Sequence, residues 1–418
     1  CSLMNGGLSM VEMKSGYKLT EVGVIPEDWE VKEFNETFSV IPNNSLSRDY
    51  LNTQAGEYHD IHYGDVLIKY GALLDAGNTE IPFINKAITD KWVNRRIVTE
   101  GDIIMADTAE DNTVGKCSEV INVNHKKIVS GLHTFWLHPN EGLFEKGFLG
   151  YFMNHSLYHN QLLPLIHGTK VSSVSKNEIL GTRVLVPLKN EQTAIATALS
   201  DVDSLISALT KKIEKKKAIK QGLMQQLLTG KKRLPGFNDK WKSMLLGDIA
   251  EVKDGTHQTP KYVKSGGKPF YSVENVTADD FKNVKHISLE EHKALTSNYR
   301  IEKGDVLMTR IGSIGCCKYV DWDVDASFYV SLALLKINEK YDSKFISYLS
   351  NIKSFKEEVA IPQKINLGNI SLIKVYIPTS KAEQTAIANI LSDCDSEIAE
   401  LEEKRDKYKE IKQGMMQQ

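Results

Sequence analysis

At residues 191–196 the chain reads EQTAIA, and it reads EQTAIA again at residues 383–388. The similarity extends over residues 190–226 and 382–418, which match at 23 of 37 positions with a constant offset of 192. A repeat with so long a period predicts two copies of a whole domain-plus-helix unit, because a solenoid of short repeats would recur every few tens of residues.

Apolar residues recur at steps of four and three within each copy, which is the spacing of a coiled-coil seam. They are Ile195, Leu199, Val202, Ile206, Leu209 and Ile213 in the first copy, and Ile387, Leu391, Cys394, Ile398 and Leu401 in the second. The pattern predicts two helices of roughly 55 Å each, at about 1.5 Å per residue. Ser380 and Glu383 predict a capping box at the start of the second helix.

The two predicted helices differ in charge, with a net charge of +2 for the first and −4 for the second. Opposite charge favours antiparallel pairing, although each exposed ion pair contributes only about 0–1 kcal/mol. If the ends are matched, the lysine-rich run at residues 211–217 faces Asp393, Asp395 and Glu397.

Length and composition limit the class of protein. The chain has 418 residues, enough for two or three domains, and its 41% hydrophobic content allows sizeable cores. No apolar run approaches the 18 or more residues of a membrane span, so we expect no membrane segment. The five cysteines show neither zinc-ligand nor disulfide spacing, which favours a reducing cytoplasm. The net charge of −2 alone gives no indication of nucleic-acid binding.

Strand signals place two domains before the two helices. Gly-Asp precedes an apolar run at residues 64–68, 101–105 and 304–308, which predicts a turn leading into a buried strand each time. An amphipathic stretch follows near the end of each domain, at residues 148–153 and 345–349.

The expected class is α+β, with two similar globular α/β domains joined and spaced by two long antiparallel coiled-coil helices. The expected segments are a leader or added terminal segment (1–19), a first domain (20–187), a helix and link (188–235), a second domain (236–378) and a distal helix (379–418).

The sequence offers no catalytic motif that we would assign. It contains no P-loop, no dinucleotide fingerprint and no HExxH zinc motif. His155 and His159 are four residues apart in a probable helix, but two histidines without a third ligand do not make a metal site. Asp107, Glu110 and Asp111 follow an apolar strand and are interpreted as a structural loop. We therefore predict no catalytic residue and no metal site.

The remaining polar loops are suited to contact with DNA, because hydroxyl, amide, imidazole and cationic side chains can meet bases or phosphates. One loop spans residues 254–262, a second places an arginine beside a glycine-rich turn at 310–315, and basic turns occur at 168–170 and 362–364. The candidate DNA-binding residues are Lys69, Lys170 and Ser172 in the first domain, and Thr256, His257, Thr259, Lys261, Tyr262, Arg310, Ser313 and Lys364 in the second.

The segments 254–262 and 302–315 and the twice-occurring EQTAIA helix resemble the specificity subunit of type I restriction–modification systems. The resemblance covers nearly the whole chain from about residue 15. It implies two target-recognition domains that each read half of a bipartite site in double-stranded DNA. It also implies that the helices fix the spacer and dock methyltransferase subunits.

The same resemblance implies the partners and cofactor. Two methyltransferase subunits would carry S-adenosylmethionine, restriction subunits would cleave, and this chain would bind no cofactor and catalyse nothing. An alternative from another class is a non-catalytic coiled-coil scaffold with two protein- or glycan-binding domains. A self-sufficient nuclease or methyltransferase would need a catalytic motif that we do not find.

Overall fold

A computed structural model describes residues 15–89, 96–168, 170–359 and 365–417. The chain forms two compact units. Unit 1 comprises Cys1–Ser207 and Asp406–Gln418, and unit 2 comprises Ala208–Arg405. Each unit therefore contains one globular domain and part of both long helices.

The domain of unit 1 contains fifteen described strands and six short helices before the first long helix. The strands are β1 (Tyr17–Thr20), β2 (Gly23–Pro26), β3 (Glu30–Glu33), β4 (Phe38–Ile41), β5 (Leu51–Asn52), β6 (Tyr58–Ile61), β7 (Leu73–Asp75), β8 (Phe83–Ile84), β9 (Ile103–Ala106), β10 (Thr108–Ala109), β11 (Cys117–Ile121), β12 (Lys127–Ser130), β13 (Thr134–Pro139), β14 (Ser172–Ser173) and β15 (Arg183–Val186). The helices are α1 (Phe34–Thr37), α2 (Tyr63–Ile68), α3 (Lys86–Thr89), α4 (Phe148–Phe152), α5 (Ser156–Leu162), α6 (Lys176–Ile179) and the long α7 (Lys189–Leu227), with 3₁₀ turns at Arg48–Tyr50 and Leu163–Leu165.

The domain of unit 2 contains ten described strands and six short helices, followed by the second long helix. The strands are β16 (Trp241–Leu245), β17 (Ala250–Asp254), β18 (Tyr262–Val263), β19 (Lys268–Tyr271), β20 (Lys285–Ile287), β21 (Val306–Thr309), β22 (Cys317–Tyr319), β23 (Ser327–Phe328), β24 (Leu332–Ile337) and β25 (Lys374–Pro378). The helices are α8 (Leu246–Ile249), α9 (Val273–Ala278), α10 (Leu289–Leu295), α11 (Ser343–Leu349), α12 (Lys353–Val359), α13 (Leu367–Ser371) and the long α14 (Lys381–Met415).

The two domains share one sheet topology. The central sheet has the order β4-β13-β9-β11-β7 in unit 1 and β17-β24-β21-β22 in unit 2, with antiparallel pairing among the first four strands of each. A second sheet has the order β12-β6-β8-β5 in unit 1, which corresponds to β23-β19-β20-β18 in unit 2. In both second sheets the first pair is parallel. The expected class of two similar α+β domains with long helices is confirmed.

The central strand of each domain packs on both faces, as the period-2 alternation of a buried strand requires. In β9, Ile103 and Met105 join the core that includes α4 and α5, whereas Ile104 joins a core on the opposite face. In β21, Val306 and Met308 join the core shared with the long helices, and Leu307 faces the other side. The domains are thus anchored on their helices by one face of the central sheet.

The two long helices are antiparallel within each unit. Lys216 lies 2.6 Å from Glu397 in unit 2, and Lys217 lies 2.7 Å from Glu402. The predicted contact of the lysine-rich run with Glu397 is confirmed through Lys216. The end-matched register is wrong, because it would place Lys220 opposite Ala388, whereas Lys220 pairs with Asp395, seven residues further along. A seven-residue error preserves a heptad seam, so the apolar pattern could not exclude it.

Of the three strands predicted at Gly-Asp turns, two are confirmed and one is wrong. The predicted strands at 101–105 and 304–308 are confirmed as β9 and β21, but residues 64–68 lie in helix α2. The His62 side chain caps that helix by accepting from the Gly64 amide at 3.3 Å. No helix in the described ranges is long and apolar enough to cross a membrane.

Candidate DNA interface

The residue after the central strand has the same backbone partners in both domains. In unit 1 the Asp107 amide donates to the His133 carbonyl at 3.1 Å, and the Asp107 carbonyl accepts from the Val174 amide at 3.0 Å. Three segments that are distant in sequence therefore meet at Asp107. Its carboxylate accepts from the Thr108 hydroxyl at 2.6 Å and lies 3.3 Å from Nδ1 of His133. The interpretation of this loop as structural agrees with these contacts.

Arg310 occupies the corresponding position in unit 2. Its amide donates to the Ser331 carbonyl at 2.8 Å, and its carbonyl accepts from the Ile365 amide at 3.1 Å. The backbone framework is therefore common to both domains. The side chain at this position is a carboxylate in one domain and a guanidinium in the other, so the two domains present different chemistry on the same scaffold.

The Arg310 side chain is buried, with only 3% of the residue exposed. Its guanidinium pairs with the Asp254 carboxylate, and its Nε donates to the Ile365 carbonyl at 3.1 Å. A buried guanidinium needs such partners because an unpaired charge is costly away from water. Arg310 was predicted as a DNA-binding residue, and the structure places its side chain beneath the loop as a support.

Asp254 organises the loop that follows β17. Besides Arg310, its carboxylate contacts Nε2 of His257 at 2.9 Å, and its carbonyl accepts from the Tyr299 hydroxyl. The next residue, Gly255, lies so close to the Tyr329 backbone that a Cβ there would come within 2.4 Å of it. The loop therefore leaves the sheet at a fixed point. Sequence reasoning missed this role, since the Asp254–Arg310 contact joins residues 56 positions apart.

The loop beyond Gly255 carries most of the predicted residues of the second domain. Thr256 is half-buried, and its backbone pairs with Phe328 and Val330. His257, Thr259 and Lys261 are exposed. The structure thus brings these residues together on one surface loop, with Thr256 as its anchored base.

Tyr262 extends this surface on the short strand β18. It is 48% exposed, and its ring packs edge-on against Phe270 at a centroid distance of 6.1 Å. Lys285 on the paired strand β20 places its Nζ 5.2 Å from the Tyr262 ring centroid. An aromatic ring beside a lysine is a suitable platform for a sugar–phosphate backbone. Lys285 was not among the residues chosen from the sequence.

A second turn lies directly after Arg310. Ser313 is exposed, and the Thr309 hydroxyl donates to its carbonyl. Gly315 adopts a positive φ of 84°, and a Cβ at this position would lie 2.8 Å from the Val359 side chain. Ser313 is therefore held on a rigid turn. Lys364 lies outside the described residues.

The predicted residues of the first domain lie on two separate elements. Ser172 pairs with Ala109 in the short β10–β14 ladder, and the exposed Lys170 precedes it. This ladder adjoins Asp107, so Ser172 lies beside the position that corresponds to Arg310 in the second domain. Lys69 is also exposed but follows helix α2, where its Nζ donates to the Glu80 carbonyl at 2.8 Å.

His155 and His159, the two histidines considered as part of a metal site, each contact the backbone. His155 precedes helix α5 and caps it, its Nδ1 accepting from the Leu157 amide at 3.1 Å. His159 Nε2 contacts the Asn112 carbonyl at 3.0 Å. Burial lowers the pKa of His155. Within the described part of the chain, no group of three or more His, Cys, Asp or Glu residues could hold a metal ion.

Burial raises the pKa of two carboxyl groups in unit 1. Burial raises the pKa of Asp60 to about 7, although the Asn44 amide donates to its carboxylate at 2.7 Å. Burial also raises the pKa of Glu119 to about 7, against the effect of hydrogen bonds from the Gly147 and Gly150 amides. Both groups lie within the fold, and neither belongs to the loop surfaces described above.

Two domains of one topology, each followed by a long helix, define a duplicated architecture. The chain matches the type I restriction modification DNA specificity domain over residues 26–221 and again over residues 238–413. The chain therefore belongs to this family. Its members are the non-catalytic DNA-recognition subunits of type I restriction–modification complexes, with DNA and methyltransferase partners.

Known relatives and structures agree with this assignment. The chain is 25% identical over 427 residues to a specificity subunit assigned to the type I restriction enzyme MjaX of Methanocaldococcus jannaschii, covering 96% of this chain and 95% of that protein. It is 23% identical over 429 residues to the MjaVIII specificity subunit of the same organism, covering 94% and 92%. The crystal structure of the type I system S subunit from M. genitalium has the same fold, with a TM-score of 0.58, 15% identity and coverage of 93% and 95%.

Proposed function

We propose that each domain reads its own half of a bipartite DNA site through the loop surface beside its central strand. The observation that carries this proposal is the common backbone framework around Asp107 and Arg310, which holds different side chains in the two domains. A shared scaffold with divergent loops is suited to presenting two different sets of side chains to two different base sequences.

In the second domain, the proposed contacts are the exposed side chains at residues 257–262 and Ser313 on the turn after Arg310. Lys261 would meet a phosphate, because a flexible ammonium group is a sequence-independent phosphate ligand. Thr259, His257 and Ser313 can donate to or accept from base edges or the backbone. Tyr262 would lie along the sugar–phosphate backbone. Arg310 and Thr256 would act as positioning residues, since both are held within the loop's base.

In the first domain, Ser172 lies on the ladder beside Asp107 and the exposed Lys170 precedes it, so these two are the stronger candidates. Lys69 is retained as a candidate phosphate contact from a separate element. Lys364 of the second domain remains a candidate on sequence grounds alone.

The assembly we propose contains two methyltransferase subunits docked on the helices, with restriction subunits joining for cleavage, in the cytoplasm. S-adenosylmethionine would bind in the methyltransferase subunits rather than in this chain. Helices α7 and α14 each pass through both units, so we infer that their length sets the spacer between the two half-sites.

Domain exchange tests this proposal directly. Residues 20–187 are replaced by the corresponding domain of another family member, and the methylated sites are mapped in cells that carry the complete modification complex. We expect one half of the methylated sequence to change and the other half to stay the same. A reciprocal exchange of residues 236–378 should change the other half. Simultaneous change of both halves in either exchange would contradict modular reading.

A further inference from the structure

An aspartate of the first long helix, Asp203, contacts two other elements in unit 1. The Tyr151 hydroxyl on α4 donates to Oδ2 of Asp203 at 2.9 Å. Lys412 of the second long helix places its Nζ 2.7 Å from Oδ1 of the same aspartate. The Lys412 Nζ also lies 5.3 Å from the Tyr151 ring centroid. One carboxylate therefore ties the domain and both helices together.

Unit 2 repeats this cluster with the helices exchanged. The Tyr348 hydroxyl on α11 donates to Oδ2 of Asp395 at 2.7 Å, and Lys220 pairs with Oδ1 of Asp395. The Lys220 Nζ lies 5.5 Å from the Tyr348 ring centroid. Here the second helix supplies the aspartate and the first supplies the lysine. We call each set of three residues, Tyr151–Asp203–Lys412 and Tyr348–Asp395–Lys220, a Tyr–Asp–Lys clasp.

The two clasps require one and the same antiparallel register. Asp203 and Lys220 are 17 residues apart on the first helix, and Asp395 and Lys412 are 17 residues apart on the second. Both contacts therefore form together or are lost together when one helix slides along the other. Because the two spacings match, both clasps can form only in one antiparallel register.

The apolar seam cannot perform this selection alone. A seam with a heptad period regains its apolar contacts when one helix slides by seven residues, which moves it by about 10 Å. The end-matched alignment predicted from the sequence is such a state, and it would leave Lys220 opposite Ala388. Polar residues that must find a unique partner are the best-attested means of excluding slipped registers.

We propose that the two Tyr–Asp–Lys clasps select the register of the helix pair against the state displaced by seven residues. Each aspartate has two partners, a tyrosine hydroxyl and a lysine, and this distinguishes the clasps from ordinary ion pairs on the same helices. Lys217, for example, contacts Glu402 at 2.7 Å, but its side chain is 57% exposed, against 21% for Lys220 and 26% for Lys412. Among the described contacts, no tyrosine hydroxyl joins this pair. The clasp residues are thus positioning residues: they select the register, and the apolar seam supplies the packing contacts in that register.

Charge reversal of both lysines tests the proposal in the full-length chain. Spin labels at Lys215 and Glu400, both exposed and both in unit 2, report the register as a distance. In K220E/K412E we expect a second population at longer distance, because a slip of seven residues offsets the two labels by about 10 Å along the helix axis. The fourfold variant K220E/D395K/K412E/D203K restores opposite charges and should return the single wild-type distance.

Lys217→Glu is the matched control, because it reverses one charge at the same interface outside a clasp. It should leave the distance distribution unchanged. An unaltered single distance in K220E/K412E would overturn the proposal, as would failure of the fourfold variant to restore it. If K220E/K412E does not fold, the fourfold variant decides, because a folded protein with the wild-type distance supports pairing-dependent register. The distances are measured without DNA, so the outcome does not depend on the proposed half-site reading.

Discussion

The Trp29 indole donates from Nε1 to the Glu191 carboxylate at 2.9 Å, joining the start of the first domain to the first turn of α7. The second unit repeats the pair as Trp241 and Glu383, at 3.4 Å. There Arg233 adds a two-pronged contact to the fully buried Glu383, at 2.6 and 2.8 Å. The first residue of the EQTAIA motif is thus the point at which each domain is attached to its helix.

Trp29→Phe should lower the stability of unit 1 by about 1–2 kcal/mol, because it removes a hydrogen bond to a charged group. We expect the melting temperature to fall by roughly 2–8 °C, as measured by circular dichroism. Glu191→Gln and the double variant complete a double-mutant cycle. If the two single effects simply add in the double variant, the Trp29–Glu191 contact contributes nothing and the prediction is wrong.

The stability of unit 1 should decrease from acid to neutral pH because of Asp60. Its folded pKa of about 7 exceeds the unfolded value of about 3.9, so the folded state keeps a proton that the unfolded state releases. This stability is fully present below about pH 4 and is lost as the pH rises through 7, by at most about 1.4 kcal/mol per pH unit. Asp60→Asn should reduce the slope, while Glu119 keeps part of it.

Asp75→Asn is a control, because the pKa of Asp75 is lowered and its effect on the pH dependence of stability is opposite to that of Asp60. Burial acts to raise the pKa of Asp75, but hydrogen bonds from Asn78, Asn122 and Gly77 outweigh it and lower the pKa. Its contribution is present above the unfolded pKa and is lost as the pH falls. Thermal melts from pH 3 to 9 should therefore show Asp75→Asn differing most from wild type at neutral pH. An Asp60→Asn protein with the wild-type slope would refute the assignment of that slope to Asp60.

The sequence was sufficient for the domain-and-helix plan, because long-period identity and heptad spacing are visible without coordinates. It was insufficient for contacts between distant residues. Glu383 is bound by Arg233, 150 residues away, a contact that no local sequence pattern predicts. The heptad period likewise left the register undetermined.

The same limitation applies to the candidate interface. The candidates at residues 256–262 lie close together because they are contiguous in the sequence. Whether a loop arginine is exposed depends on the tertiary partner it finds, and for Arg310 that partner is Asp254. His155 was placed within a helix, whereas it precedes the helix and caps it. In each case a local pattern was overridden by a partner or a cap that composition does not reveal.

Lys261→Ala should weaken binding of the assembled complex to all DNA sequences, specific and non-specific alike. Loss of one phosphate contact should reduce the slope of log K against log salt by about 1. Lys340→Ala is the control, because Lys340 is also an exposed lysine of unit 2 but lies beside the long helix rather than on the loop. Its neighbour Asp342 donates its amide to Gln384 on α14. Fluorescence anisotropy at several salt concentrations measures both variants. Equal salt slopes for Lys261→Ala and wild type would show that this loop does not face the phosphates.

Arg310→Met should impair recognition by the second domain alone. Without the guanidinium, Asp254 loses the contact that holds the base of the loop, so the residues beyond it lose their position. We expect binding to fall at least tenfold and discrimination at one half-site to weaken, while the other half-site is read normally. Arg300→Met is the control, since Arg300 is exposed and contacts only Glu302 among the pairs described, at 3.5 Å. Unchanged discrimination at both half-sites would mean that the loop does not depend on Arg310.

The length of the helices should determine the length of the spacer. Four residues inserted after Lys212 and four after Lys404 lengthen both helices by about 6 Å, close to two base pairs at 3.4 Å each. Four residues slightly exceed one helical turn, so the seam is nearly maintained. Equal insertions also keep the two aspartate–lysine separations equal, which preserves both clasps. Methylome mapping should show the same half-sites with one or two more unspecified base pairs between them. As a control, the same four residues inserted after Gly236, in the link rather than the helix, should leave the spacer unchanged. An active double-insertion variant with the original spacer would show that the helices do not set the spacer length.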